Sequence, residues 1–272
     1  MTSQKEDHQN DLVEQYRTAS NLNARVRLHQ RFSKNPYGWH CWVFDQFNLP
    51  SSCHILELGC GAGDLWLENR DRIPEGWEIV LTDFSEGMLQ QAQTRLQTVH
   101  PFQFELLDAQ TVPYRFESRS FDAVIANHML YHLSNRKVAL AEIQRIMKPG
   151  GNLYATTVGR KHLCEIRDLL IRFDPGLQSW GNVAETFTLE SGEEQLLKWF
   201  SEVELRRYED GLKVTEAAPL VEYILSGWAK AKIPKEKERE CTEFVEQELK
   251  NYGGEFYITK DSGFFAAVLD RE

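Results

Sequence analysis

The segment His54-Ile-Leu-Glu-Leu-Gly-Cys-Gly-Ala-Gly-Asp-Leu-Trp66 constrains the fold of this chain more than any other. It reads as a buried strand running into a glycine turn and then into a helix. Ile55 and Leu56 supply the apolar run. Gly59, Gly61 and Gly63 let the backbone take φ values, and approach a ligand closely, where a Cβ would interfere. The helix that follows presents unpaired N–H groups and its positive dipole end to whatever sits in the turn. In an α/β sheet this is where nucleotide-like ligands bind. The dinucleotide fingerprint G-x-G-x-x-G fails, because Asp64 stands three places beyond Gly61. The pattern present is E-x-G-x-G-x-G, from Glu57 to Gly63.

Strands and helices alternate through the first two-thirds, which predicts a parallel sheet with crossover helices. The strands read as Cys53–Leu58, Glu78–Thr82, Gln103–Leu107, Phe121–Ala126 and Gly151–Thr157, and the helices between them as Asp64–Arg70, Glu86–Leu96 and Lys137–Ile146. Pro149-Gly150-Gly151 is expected to stop the last helix and turn it toward the fifth strand. Beyond about residue 160 the alternation loosens. Helices are expected over Lys161–Arg172, Glu193–Phe200, Ala217–Ala231 and Lys235–Asn251, with a strand at Val203–Tyr208. Two closing strands, Glu255–Thr259 and Gly263–Leu269, look joined by a hairpin at Lys-Asp-Ser. Ahead of the sheet, Asp11 to Phe47 reads as two or three amphipathic helices broken at Ser33–Pro36.

The fold expected is α/β: a Rossmann-like, doubly wound, seven-stranded, mostly parallel sheet with N-terminal lid helices and a C-terminal helical cap. The expected division is a lid over 1–48, a ligand-binding core over 49–160, and an acceptor cap over 161–272 whose final strands complete the sheet.

Composition narrows the partners. The chain has 272 residues and a formal charge of −10, with acids and bases interspersed. DNA or RNA normally needs a basic face, so a small-molecule acceptor is expected and nucleic acid is not. The five cysteines (Cys41, Cys53, Cys60, Cys164, Cys241) are scattered, without metal-site spacing, which suits a reducing cytoplasm. No apolar run approaches a membrane span, and the polar start does not read as a signal peptide. The oligomeric state, monomer or homodimer, stays open.

Further positions carry candidate chemistry. Asp83 ends the second strand roughly twenty residues after the glycine turn, where an acid can accept both hydroxyl protons of a ribose. With Ser85, it can instead cap the helix starting near Glu86. Phe84 and Met88 offer apolar walls for an adenine, or simply core. Asp108-Ala109, after the third strand, can read an adenine amino group and ring nitrogen, or be a plain polar strand end. The fourth strand leads into Asn127-His128-Met129-Leu130-Tyr131-His132. His128 and His132 are candidate general bases and Tyr131 a candidate donor to an acceptor oxygen, against structural roles for each. Their i, i+4 spacing raises a metal pair, but no carboxylate nearby completes a ligand set, so no metal is expected. Trp180, Trp199, Trp228, Phe187 and Phe200 are either an apolar acceptor pocket or helical core.

Taken together, Glu57–Gly63, Asp83, Asp108-Ala109, the fourth strand and Leu140–Gly151 resemble the class I S-adenosylmethionine (SAM) dependent methyltransferases, in their ubiquinone/menaquinone-type small-molecule branch. The likeness covers about residues 50–160. It implies that SAM is the cofactor and S-adenosylhomocysteine its product. It implies that Glu57, Gly59 and Gly61 line the methionine and ribose part, Asp83 the ribose hydroxyls, Asp108 and Ala109 the adenine, and Asn127 the methionine end. Phe32–Trp39 resembles the lid of these enzymes, where Tyr37 or Trp39 would face the sulfonium and Arg31 the methionine carboxylate. No Asn/Asp-Pro-Pro-aromatic tetrapeptide follows the fourth strand, which counts against nucleic-acid amines as acceptors. The function implied is methyl transfer to an O, N or C atom of a small metabolite. The alternatives are a non-catalytic SAM-binding module and an NAD-dependent oxidoreductase on a similar sheet.

Overall fold

A computed structural model describes residues 19–178, 186–226 and 232–271. The chain divides into two compact units. One comprises 37–160, 183–208 and 262–272, and the other 1–36, 161–182 and 209–261. In chain order the principal elements are α1 (Ala19–Phe32), α2 (Trp39–Asp45), β1 (Ser52–Leu58), α3 (Asp64–Glu68), β2 (Gly76–Asp83), α4 (Glu86–Leu96), β3 (Gln103–Leu106) and β4 (Phe121–Asn127). There follow α5 (Arg136–Ile146), β5 (Met147–Val158), α6 (Cys164–Phe173), α7 (Gly192–Leu196), β6 (Glu202–Val214), α8 (Ala217–Ser226), α9 (Glu238–Asn251) and β7 (Phe256–Val268).

The first unit is the sheet. Its order is β3-β2-β1-β4-β5-β7-β6. β1 to β5 pair in parallel, and β7 runs antiparallel to β5. Winding goes outward from β1 to β3, then restarts at β4 on the other side, so the β1/β4 border is the topological switch point. Successive strand residues enter opposite cores, as a period of two demands. Leu56, Val80, Val124, Leu153 and Phe265 join α5 and Leu196 of α7 on one face. Ile55, Ile79, Ile125, Tyr154 and Phe264 join α2, Trp66 of α3 and α4 on the other. Both faces are covered, which is why the strands read as continuous apolar runs.

The second unit gathers α1, α6, α8 and α9 around Leu28, Phe32, Ile166, Leu169, Leu220, Ile224 and Val245, with Leu212, Val214, Phe256 and Ile258 from the ends of β6 and β7. Asp210 lies in it as a fully buried carboxylate. It accepts from Lys260 Nζ at 2.5 Å, from the Lys34 and Asn35 amides at 3.0 Å each, from the Gly211 amide at 2.7 Å, and from the Ser33 hydroxyl. That node anchors the turn at which the sequence breaks its first helices.

Within the stretch 1–48 expected as a lid, α1 shares its core with α6, α8 and α9, whereas α2 packs on the sheet through Val43 and Phe44. Three expectations change. Glu255–Thr259 and Gly263–Leu269 are not a hairpin but one strand, β7. Lys260 within it is neutralised by Asp210, and Ser262 and Gly263 continue the ladder opposite Val158 and Thr157, so the polar triplet needs no turn. Pro149-Gly150-Gly151 does not stop a helix. α5 ends at Ile146, and the triplet lies inside β5, where the register against β4 shifts. A Cβ on Gly151 would sit 2.9 Å from the Asp122 and Lys148 carbonyls, so only glycine fits that irregularity. Finally, β6 extends from Glu202 to Val214, well beyond Tyr208.

Candidate cofactor and acceptor site

The glycine turn closes β1 onto β2. Cys60 N–H donates to the Thr82 carbonyl at 2.8 Å, and Gly61 N–H to Asp83 Oδ2 at 2.9 Å. Gly61 stands at φ +55°, with nothing within 4 Å of where a Cβ would point, so the open side of the turn faces a space that a ligand can approach. Gly63, at φ +78°, answers a different need: a Cβ there would meet Leu96 Cδ1 at 2.6 Å, so it lets α3 and α4 close up. Helix α3 has only five residues, shorter than the predicted Asp64–Arg70, and a 3-10 turn over Arg70–Arg72 follows. Its dipole is correspondingly weak. Arg95 from α4 reinforces the turn, donating to the Ala62 carbonyl at 2.7 Å and pairing with Asp64 at 2.7 Å.

Asp83, 5% exposed, takes Gly61 N–H on one oxygen and Ser85 N–H at 2.8 Å on the other. Burial raises its pKa, against the pull of those amides. The Phe84 amide adds to that pull, and a carboxylate with about four acceptor sites still has capacity for a further donor. The helix cap belongs to Ser85, whose hydroxyl accepts from Met88 N–H at 3.4 Å, so the two readings of this stretch divide between two residues. Phe84 is 43% exposed beside them. Met88 is only 2% exposed.

β3 brings Leu106 opposite Asp83, and Leu107 N–H donates to the Asp83 carbonyl at 3.0 Å. Asp108, half-buried just beyond, turns one oxygen onto Gln110 N–H at 2.9 Å. Ala109 is buried, and its carbonyl accepts from the Tyr114 hydroxyl at 2.8 Å.

At the switch point Glu57, 2% exposed, accepts from Trp66 Nε1–H at 2.6 Å and from Asn127 Nδ2 at 3.2 Å. Burial pushes its carboxyl up to about 7, opposed by those two donors. Asn127 Oδ1 is buried and, among the described residues, has no hydrogen-bond partner. It can accept from a donor on a ligand or from a water. Trp66 was not singled out in the sequence. Its signal was a tryptophan directly after the glycine turn, nine residues from the buried acid it serves.

His128 follows at φ +49°, a left-handed conformation uncommon for histidine. Its N–H is held by Thr156, whose hydroxyl accepts at 3.0 Å and carbonyl at 3.2 Å. The imidazole packs 5.2 Å from the ring of Trp39, which in turn contacts Trp42 at 5.5 Å and Tyr208 at 5.2 Å. Tyr131 and His132 lie in a 3-10 turn, Leu130–His132. His128 and His132 therefore do not share one helical face, and among the described residues no group of three or more His, Cys, Asp or Glu gathers for a metal.

Tyr37 is half exposed, and its hydroxyl donates to Asp45. Arg31 pairs with Glu216. Cys60 is buried, and burial with the Glu57 and Asp83 charges holds its thiol well above the usual range, so it packs rather than reacts. Phe187 and Phe200 are buried in the sheet core with Trp199 partly buried against it, which makes them core rather than pocket. Trp180 and Trp228 lie outside the described residues.

Residues 56–155 match the family described as "Methyltransferase domain". Over 121 residues the chain is 38% identical to the demethylmenaquinone methyltransferase of Leptospira interrogans, a stretch covering 42% of this chain and 46% of that protein. The chain thus spans about half the length of the curated relatives it matches. Among solved structures, Haemonchus contortus phosphoethanolamine N-methyltransferase 2, in complex with phosphomonomethylethanolamine and S-adenosylhomocysteine, aligns at TM-score 0.58 and 20% identity. The alignment covers 97% of this chain and 60% of that one. The YcgJ protein of Bacillus subtilis aligns at TM-score 0.57 and 14% identity, over 86% and 98%. Among the described residues no helix is long and apolar enough to cross a membrane. The motif stretches gather at one switch point, and the segment that matches the methyltransferase domain family, residues 56–155, encloses it.

Proposed function

We propose that this protein binds SAM at the β1/β4 switch point and moves its methyl group to a small metabolite. The observation that carries the reading is the Trp66–Glu57–Asn127 chain ending in a buried oxygen without a partner among the described residues, beside the open glycine turn. An α-ammonium supplies the donor that Asn127 Oδ1 lacks, and its charge suits the neighbouring Glu57. Asp83 accepts from the ribose hydroxyls through its remaining lone pairs. Phe84 covers one face of the adenine, with Asp108 and the Ala109 backbone at its edge. Gly59 and Gly61 give the backbone its close approach, and Tyr37 lies toward the sulfonium.

Bound SAM supplies a methyl group on a positively charged sulfur that departs as a neutral thioether. The protein's part is to hold donor and acceptor in line and keep water out, worth up to roughly 7–11 kcal/mol in well-oriented reactions. His128, fixed by Thr156 just past Asn127, accepts a proton where the acceptor must lose one. Tyr131 donates to an acceptor oxygen, and His132 is the second candidate base. The demethylmenaquinone relatives make quinol-like rings the first acceptors to try, ahead of N- and O-acceptors. A cytoplasmic location fits such substrates.

Calorimetry with SAM and with NAD, followed by transfer of labelled methyl from SAM into metabolite extracts, tests the reading. Saturable SAM binding, no NAD binding and a labelled product are expected. SAM binding without any product would leave a binding module.

A further inference from the structure

The turn Leu130–His132 carries two of the candidate acceptor-side residues, yet it barely holds itself. Its local bonds are His132 N–H to the Met129 carbonyl at 3.0 Å and Leu133 N–H to the Leu130 carbonyl at 3.3 Å. Short 3-10 turns have poor internal geometry and take their pose from outside. Leu130 and Leu133 root the turn in the sheet core, and the polar support on its carbonyls comes from Arg136, the first residue of α5. Its Nε–H donates to the Leu130 carbonyl at 2.8 Å. Nη1 donates to the Thr186 carbonyl at 3.0 Å and to Gln195 Oε1 at 2.9 Å, and Nη2 to Thr186 Oγ1 at 2.7 Å. The Thr186 hydroxyl then donates to the Tyr131 carbonyl at 3.1 Å. Two successive carbonyls of the turn are thus fixed, one by the guanidinium and one through a hydroxyl that the guanidinium orients.

Two further observations separate this arginine from a surface charge. Among the described residues no carboxylate pairs with it: its hydrogen-bond partners are neutral oxygens, and the fully buried Phe187 ring lies 5.2 Å from its Cζ. Burial accordingly lowers its pKa. Withdrawing a guanidinium from water without a counter-ion is unfavourable. What only arginine offers in return is a rigid planar fork that here addresses four separate oxygens at fixed angles.

We propose that Arg136 is a positioning residue for methyl transfer: its fork sets the pose of the Leu130–His132 turn, and through it the placement of Tyr131 and His132 toward the acceptor. The inference rests on the methyltransferase reading above and adds a residue that contacts neither cofactor nor acceptor.

The test uses the full chain with three readouts: SAM affinity by calorimetry, imidazole NMR signals of labelled histidines, and the rate of labelled-methyl transfer from SAM into metabolite extract. R136Q and R136K are both expected to transfer roughly 10- to 100-fold more slowly, the range that small misplacements produce. SAM affinity should stay within about twofold, and the His132 signals should move while those of His54 and His100 stay. T186V removes only the bridging hydroxyl and keeps the fold should Arg136 variants unfold. It should slow transfer severalfold, and add little on top of R136Q. Full activity of R136K would show that charge alone suffices, and unmoved His132 signals or additive R136Q and T186V effects would equally overturn the proposal. If the unaltered protein transfers no methyl at all, it is the methyltransferase reading that fails, while the His132 signals still report on Arg136.

Discussion

In the sheet unit, the acidic and amide candidates for the cofactor stand at or next to strand ends within one run of chain: Glu57 is the penultimate residue of β1, Asp83 closes β2 and Asn127 closes β4. In the other unit the core joins Leu28, Ile166, Ile224 and Val245, drawn from three separate stretches of sequence. One unit is organised by local patterns repeated along the chain. The other depends on non-local packing and on the buried Asp210–Lys260 pair. The lesson is that a functional site can be specified almost locally while the body accompanying it is not.

The largest expected effect probes that second kind of organisation. Asp210→Ala removes the acceptor of five donors and leaves the Lys260 charge buried, a loss of about 3–5 kcal/mol by analogy with other severed buried pairs. Burial would raise the Asp210 carboxyl, but Lys260 and Ser33 more than reverse this and hold it below its usual 3.8. A depressed carboxyl contributes stability above its unfolded pKa and loses it as pH falls through the folded value. The native protein should therefore weaken in acid, below about pH 4, and the variant should lack that component. Denaturant midpoints across pH measure both. SAM affinity of the folded variant should be unchanged, since every candidate cofactor residue except Arg31, which pairs with Glu216, belongs to the sheet unit; a collapse of SAM binding in the folded variant would dissolve the contrast.

Glu57 gives the opposite sign in the sheet unit. Its folded carboxyl is raised to about 7 from 4.5. The folded state therefore holds an extra proton between those values, and stability declines as pH rises through that window, by on the order of 3 kcal/mol in total. Glu57→Gln should flatten the decline. Saturating SAM should also flatten it, because a ligand ammonium near Asn127 favours the ionised acid. A decline untouched by SAM would separate Glu57 from the cofactor.

These cases show why some of the structure was legible in sequence and some was not. The β1–turn–α3 unit, the acid ending β2 and the switch point are contiguous patterns whose geometry follows from residue type and spacing. The five parallel strands followed from the same alternation. Trp66 as the partner of Glu57, Thr156 as the anchor of His128 and Arg136 as the clamp on Leu130 are contacts that no periodicity encodes. The Lys260-Asp261-Ser262 triplet misled for a related reason: polarity signals a turn unless a distant carboxylate neutralises it, and Asp210 lies fifty residues away.

The third prediction returns to the ribose. Asp83→Ala should weaken SAM binding at least about tenfold, or roughly 1.4 kcal/mol, because charge-assisted bonds to two hydroxyls are lost along with the acceptor that holds Gly61. Calorimetric titration reads it directly, and an unchanged affinity removes the ribose role.

The smallest effect separates Asp83 from its neighbour. Ser85 caps α4 through a hydroxyl 3.4 Å from Met88 N–H, a long bond, so Ser85→Ala should fall at the low end of cap losses, about 0.5 kcal/mol. Its backbone N–H, which the substitution keeps, is what holds Asp83 Oδ1. Thermal unfolding should therefore shift slightly while SAM affinity stays within about twofold. The pair of variants assigns capping to the hydroxyl and ligand binding to the carboxylate. Were Ser85→Ala to weaken SAM as much as Asp83→Ala, the acid would be acting through the turn's geometry rather than by accepting from the ribose, and the strand-end logic that makes the sheet unit legible would need another anchor.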